Sequence, residues 1–405
     1  MLYNHLSIYS LERRYNLNSF TLQDADLPLR TPPRPLELRQ ENYDQVFDFE
    51  TLIYDCIYNE KKLVIITPPL SEIELEAVLN NVIVNSLLLS SYNYQVFSRD
   101  RAQTIIVHIA DIVNIEIFKK PITFDISLTK EATSKVLYTL QKNNDIQWIV
   151  DWANYYYLWH TPSLIIIYDN NSDQYSISEL QAALEKHVSC KCIVRSFPFR
   201  YGAGGWKGSA WDSDFCQIAA LQHVRYSIKN RSYLLNVDID ELVITKNKRS
   251  IFDIAAKSNR SVYYFKGRSV YIEKVEMEKV LAARHLQHDL LEEESVYPNK
   301  YIVNLSKITD NSFLFPHEVT DAKDVIESNK VEYLHYMNIS NNWKYNRDNH
   351  ILYNPEIHQR ISLRPLFENL QNPNTHNDLY SENLSTQFIG YLKSKMKKRI
   401  LQILK

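Results

Sequence analysis

Between Glu131 and Ile244 strand-like and helix-like segments alternate, and few folds accept that order. "SKVLYTL" reads as a strand, "DIQWIVDWANYYYLWH" as an amphipathic helix and "SLIIIYDN" as a second strand. "SISELQAALEKH" follows as a helix with Ser176 and Glu179 as its capping box, then "CKCIVRSF" as a third strand. A further helix, "DSDFCQIAALQHVRYSIKN", leads into the strand "SYLLNVDIDELVI". Strands separated by helices of about 12 to 18 residues imply βαβ units, hence an α/β fold with a mostly parallel sheet and helices on both faces. In such sheets ligands sit beyond the carboxyl ends of the strands.

The remaining chain divides around this unit. Residues 1–50 are polar with a Pro cluster from Pro28 to Arg39, and read as an extended lead-in. Residues 51–130 carry β-branched runs ("KKLVIITPPL", "TIIVHIADIVNIEIF") and one helix-compatible stretch opened by a Ser71/Glu74 capping box. They read as a smaller N-terminal α+β or β-rich domain. The α/β unit spans 131–375, and 376–405 is a basic amphipathic C-terminal helix.

Charge narrows the function. With 46 Lys and Arg against 48 Asp and Glu, the chain lacks the basic excess of a nucleic-acid binder. Six glycines among 405 residues leave no GxGxxG or Walker phosphate loop. Four of those glycines fall in "YGAGGWKGSAW", which reads as a flap with Trp206 or Trp211 able to stack on a sugar. The four cysteines, Cys56, Cys190, Cys192 and Cys216, show no zinc-ligand spacing and read as packed thiols of a reducing compartment. The expected placement is cytoplasmic, with no secretory head and no apolar run of about 18 residues.

The strand ends carry the chemistry. The first ends at Asn144 and Asp145, the second at Asp169 and the fourth at Asp238, Asp240 and Glu241. Unpaired carboxylates inside a buried strand are costly when desolvated, so a cation is expected beside Asp238 and Asp240. A calcium loop would show Gly and further acids at fixed offsets, and these are missing. A DxD site remains, with Mn²⁺ or Mg²⁺ between the carboxylates and the diphosphate of a nucleotide-sugar. Turn or helix-cap acids are the plain alternative.

Four segments in order resemble the GT-A glycosyltransferases, particularly family 92 and related family-2-like bacterial enzymes. They are "NDIQWIVDW", "IIIYDNNSD", "QIAALQHVRY" leading into "YLLNVDIDEL", and "KYIVNLSKI" with "FLFPHEV", joined by "YLHYMN". The resemblance covers Lys135 to about Tyr336, roughly half the chain, and implies a Rossmann-like GT-A domain. It implies that Asp169 contacts the donor base or ribose with Asn144 and Asp145 nearby. Asp238 and Asp240 would hold metal and diphosphate, His317 would complete the coordination, and Glu241 would back them or touch the donor sugar. Asp replaces Glu at Asp145 and shortens its reach. Transfer would invert the sugar, with an Asp or Glu base such as Glu318 taking the acceptor proton.

Each assignment has a plainer counterpart. His317 follows Pro316 and suits an ordinary loop, whereas His335, flanked by tyrosines, reads more readily as packed than as a ligand. The expected activity is metal-dependent transfer from a nucleotide-sugar, UDP-linked for preference, to a glycan acceptor of a bacterial surface polysaccharide. The rivals are a sugar-phosphate or nucleotidyl transferase and a non-catalytic glycan-binding scaffold. The tail, with Phe388, Leu392, Met396, Ile400 and Ile403 at helical spacing beside Lys395, Lys397 and Lys398, suits peripheral contact with the inner membrane face or self-association.

Overall fold

The computed structural model describes residues 17–125, 128, 134–205, 212–246, 249–272, 284–292, 297–339 and 354–361. The tail helix at 376–405 and the tryptophans of the Gly-rich loop lie outside the described residues.

Four strands form the expected parallel unit: β5 (Lys135–Gln141), β6 (Leu164–Asp169), β7 (Cys192–Ser196) and β8 (Tyr233–Asn236). They lie in the order β7-β6-β5-β8, all parallel, with helices α2 (Ile146–His160), α3 (Ile177–His187) and α4 (Phe215–Ser227) in the connections. This is the strand order of a dinucleotide-fold half, and it reverses direction between β5 and β8. Alternation explains why helices cover both faces. Leu137, Ile165, Ile167 and Val194 pack under α2 and α3, while Val136, Tyr138, Ile166 and Tyr168 pack under α4.

The sheet is not mostly parallel. Beyond β8 it continues antiparallel through β12 (Tyr297–Asn304) to β10 (Val262–Tyr271), and on to β11 (Leu290–Glu292) and β14 (His358–Arg360). β10 also pairs in parallel with β13 (Val325–Tyr336), which pairs antiparallel with β9 (Glu241–Thr245). The segment "NVDIDELVI" is thus two strands and a turn. The backbone of Glu241 donates to the Asp238 carbonyl at 3.0 Å, closing the turn after β8. A turn lets carboxylates reach solvent where a strand interior would bury them.

The N-terminal strands β1 (Asp55–Asn59), β2 (Lys62–Thr67), β3 (Tyr94–Arg99) and β4 (Ala102–His108) form an antiparallel sheet in the order β1-β2-β4-β3. One face packs on its own helix α1 (Glu72–Asn81), capped by Ser71 and Glu74 as expected. The other face, through Ile57, Val64, Ile66 and Ile106, packs on α4. Sandwiched between two sheets, α4 has every residue but Gln217 buried, and its polar members find partners. Gln222 bonds Leu314, and His223 lies between Asp55 (2.7 Å) and the Tyr168 hydroxyl (2.5 Å). The lead-in is more engaged than its composition suggests. Tyr43 and Phe47 stack on each other and are buried against α4, because four residues is one helical turn.

Candidate functional site

The strand order reverses between β5 and β8, where sheets of this kind take ligands beyond the carboxyl ends of their strands, and the register sets Gln141, Asp169 and Ser196 level at those ends. Asp169 is buried and wholly committed. Its carboxylate accepts from the Ser172 backbone (2.9 Å), the Ser172 hydroxyl (2.5 Å) and the Gln141 amide. Burial raises its carboxyl while the bonds from Ser172 and Gln141 pull it back. Asn144 bonds Gln141 through backbone and side chain, and Asp145 caps α2 by accepting from the Gln147 backbone at 2.7 Å. These three acidic and amide residues therefore set the shape of the loops beside β5 and β6.

The expected metal set was Asp238, Asp240 and His317. The structure brings together a different trio: oxygen atoms of Asp240 and Glu241 and a ring nitrogen of His335 lie within 4.8 Å of one another. Strand register does this. Glu241 opens β9 directly opposite His335 on β13, and cross-strand neighbours meet side by side. Asp240 reaches the same ring from the turn, with Oδ2 at 3.3 Å from Nε2, and its carbonyl accepts the Tyr336 backbone at 2.7 Å. Tyr297 stacks on the imidazole at 4.4 Å between centroids, and Nδ1 lies 3.0 Å from the Met337 sulfur. The ring is held in one plane by these contacts.

Asp238 has another partner. Lys300, on β12, places its ammonium 2.8 Å from Asp238 and 3.0 Å from Glu241. Antiparallel pairing of Asn236 with Tyr301 brings Lys300 beside the turn. The lysine side chain is 1% exposed, against 37% for Asp238. Glu241 also accepts the Asp238 backbone N–H at 2.8 Å, so one carboxylate ties both ends of the turn. Burial pushes the Glu241 carboxyl up to about 7, with Lys300 pulling it down and Asp238 and Asp240 pushing it further up.

His317 stands apart from the trio. It is exposed, with Nδ1 at 3.1 Å from the Asn299 carbonyl, and Glu318 beside it is exposed too. Pro316 is anchored by its carbonyl to Asn236, so this turn rims the end of β8. The sequence places Lys300 at the head of the quoted "KYIVNLSKI" strand without giving it a role, and favours a packed His335 over a ligand. The signal for both was the pairing of "YLHYMN" with "ELVIT" and of "NKYIV" with "YLLN", which no local pattern reveals.

Three buried histidines lie around β9 and β13, and one of them, His285, reaches the turn itself. His160 donates to the Val243 carbonyl at 2.8 Å and accepts from the Ile251 backbone at 3.2 Å, a pattern that requires the neutral ring. His285 donates to the Ile239 carbonyl at 2.9 Å. Burial lowers His160 to about 4, His288 to about 3, and His285 as well. In the unfolded chain these rings take up protons below about 6.5. Their stabilisation is therefore complete above that pH and lost as pH falls toward their folded values, by several kcal/mol together (roughly 3 from the shift at His160). Melting scans from pH 7 to 4 should show a fall of roughly 10 °C. A flat profile would mean that the rings are not held neutral.

The donor set fits a divalent cation. Two carboxylates and one imidazole are ligands that Mn²⁺ accepts, and Mg²⁺ accepts the oxygens. No family model matches the sequence, and no curated protein matches it. In structure the chain is similar to S. aureus TarS, with 14% identity over 50% of this chain and 36% of that chain, at a TM-score of 0.32. It is also similar to the galactosyltransferase LgtC in complex with donor and acceptor sugar analogues (13% identity, 42% of this chain, 58% of that chain, TM-score 0.23). A third is core-mannan synthase A from Aspergillus fumigatus in its Mn/GDP form (10% identity, 34% and 42%, TM-score 0.23). The chain thus spans between 36% and 58% of the length of these proteins. Overlap of that extent assigns no role to any residue, and the site rests on its own geometry. Among the described residues no helix is long and apolar enough to cross a membrane.

Proposed function

We propose that this chain is a GT-A-type glycosyltransferase that transfers a sugar from a nucleotide-sugar, UDP-linked for preference, to a glycan acceptor. The observation that carries the reading is the convergence of Asp240, Glu241 and His335 within 4.8 Å after the strand at the topological switch point. Asp240, Glu241 and His335 would hold Mn²⁺ or Mg²⁺, which supplies positive charge to the departing nucleoside diphosphate.

The chain's own residues supply the rest. Tyr297 keeps the His335 ring in place, and the closed turn keeps Asp238 and Asp240 just beyond the carboxyl end of β8. Asp169, with Gln141 and Ser172, shapes the loop on which the nucleotide base would rest, beside Asn144 and Asp145. Transfer with inversion needs a base on the acceptor side, and Glu318, exposed on the turn that rims β8, is our candidate for it. The acceptor we favour is a bacterial surface glycan, and the basic tail would hold the enzyme against the inner face of the membrane.

Thermal melts with a panel of nucleotides and nucleotide-sugars, with and without Mn²⁺, test the reading. The protein should be stabilised by several degrees by UDP or a UDP-sugar, and more with Mn²⁺ than without, since ligand binding to the folded state raises its stability. Incubation should then release nucleoside diphosphate. Release of monophosphate or pyrophosphate would mean phosphoryl or nucleotidyl transfer instead, and no response to any nucleotide would leave a glycan-binding protein.

A further inference from the structure

Lys300 is an unusual neighbour for a metal site. Its ammonium sits inside the DxDE turn, 2.8 Å from Asp238 and 3.0 Å from Glu241, and its side chain is 1% exposed. Its strand is flanked by β8 and β10, and the partly exposed Asp238 carboxylate lies between the ammonium and solvent. A lysine held this way cannot swing out to meet a substrate. Its ammonium stays with Asp238 and Glu241, where its charge is felt by whatever else the turn binds.

Those carboxylates and one ammonium leave two negative charges, the complement of a single divalent ion. Lys300 at 3.0 Å and the Asp238 backbone at 2.8 Å both meet Oε2 of Glu241, so Oε1 is the oxygen we assign to an ion. Asp238, expected from the sequence to hold the metal together with Asp240, is the lysine's other partner.

We propose that Lys300 is the resident cation of the site, a positioning residue that divides the turn. It takes Asp238 and Oε2 of Glu241, and leaves Asp240, Oε1 of Glu241 and His335 to one divalent ion, whose affinity it holds down. This inference rests on the metal-binding reading above and adds a partition of the carboxylates that the reading does not require.

Mn²⁺ titrations followed by the electron paramagnetic resonance of the free ion, in the absence of nucleotide, test it on wild-type protein, Lys300→Met and Lys300→Arg. Removing a positive charge a few ångströms from the ligands should tighten Mn²⁺ binding by about tenfold or more. Lys300→Arg, which keeps the charge, should bind as wild type does. A merely structural lysine would give the opposite sign, with weaker binding in Lys300→Met. Should that variant be unfolded in EDTA, MnCl₂ is expected to restore its melting transition, one cation replacing another. Equal or weaker binding by a folded Lys300→Met overturns the inference, and so does a variant that stays unfolded with the ion present. Wild-type protein that binds no Mn²⁺, with or without UDP, would instead overturn the functional reading itself.

Discussion

Asp240→Ala is expected to reduce Mn²⁺-dependent release of nucleoside diphosphate from a nucleotide-sugar by about a thousandfold or more, while the melting temperature moves by only a few degrees. The two effects separate because Asp240 sits on a turn. Its side chain contacts the His335 ring at 3.3 Å and is 17% exposed, so water can reach the space that its loss leaves. The bond that ties this residue to β13 runs from the Tyr336 backbone to the Asp240 carbonyl, which alanine keeps. What alanine removes is one of two carboxylates in the donor set. Product release by chromatography and a melting scan on the same preparation decide the matter. Retained turnover, or a collapse of stability, would make Asp240 a structural acid.

The second large effect lies in the frame that carries His335. A Cβ on Gly267 would lie 2.2 Å from the ring of Tyr333, and no Cβ tolerates that approach. Tyr333 faces Gly267 in register across β10 and β13, and its ring crosses the glycine to donate to the Pro298 carbonyl at 2.7 Å. The ring is buried and hydrogen-bonded, so it has nowhere to retreat. Gly267→Ala should destabilise the fold by about 3 kcal/mol or more, at the upper end of over-packing effects. Because His335 is two residues along the same strand, on the same face as Tyr333, Mn²⁺ binding should weaken with it. Urea titration measures the first effect and a metal titration the second. A variant as stable as wild type would mean that Tyr333 is not fixed over Gly267.

These predictions touch residues of differing legibility. The strand-helix alternation and both capping boxes were plain because they are local. A period of two or of 3.6, or a serine three residues ahead of a glutamate, is a property of adjacent chain. The antiparallel half of the sheet was not plain. β9 to β14 are joined by connections whose composition says nothing of pairing, and β13 reaches back across the sheet to β9. The same limit applied to the site. Asp238, Asp240 and Glu241 announced themselves as acids at a strand end, yet their division of labour was invisible.

His317 and His335 show the physical reason. Both stand near aromatic or proline neighbours, and neither context marks a ligand. Register decides between them: a two-residue slip of β13 would carry His335 away from Glu241 along the same face. Lys300 is the sharper case, since its neighbours Asn299 and Tyr301 give no hint of a buried charge, and only the antiparallel pairing of β12 with β8 delivers it to Asp238. The sequence by itself determined an α/β chain with acids gathered at the ends of its parallel strands. Tertiary structure alone decided which of those acids share a cation of the protein's own and which stand beside a histidine, because contacts between strands far apart in the chain depend on pairing that no local pattern encodes.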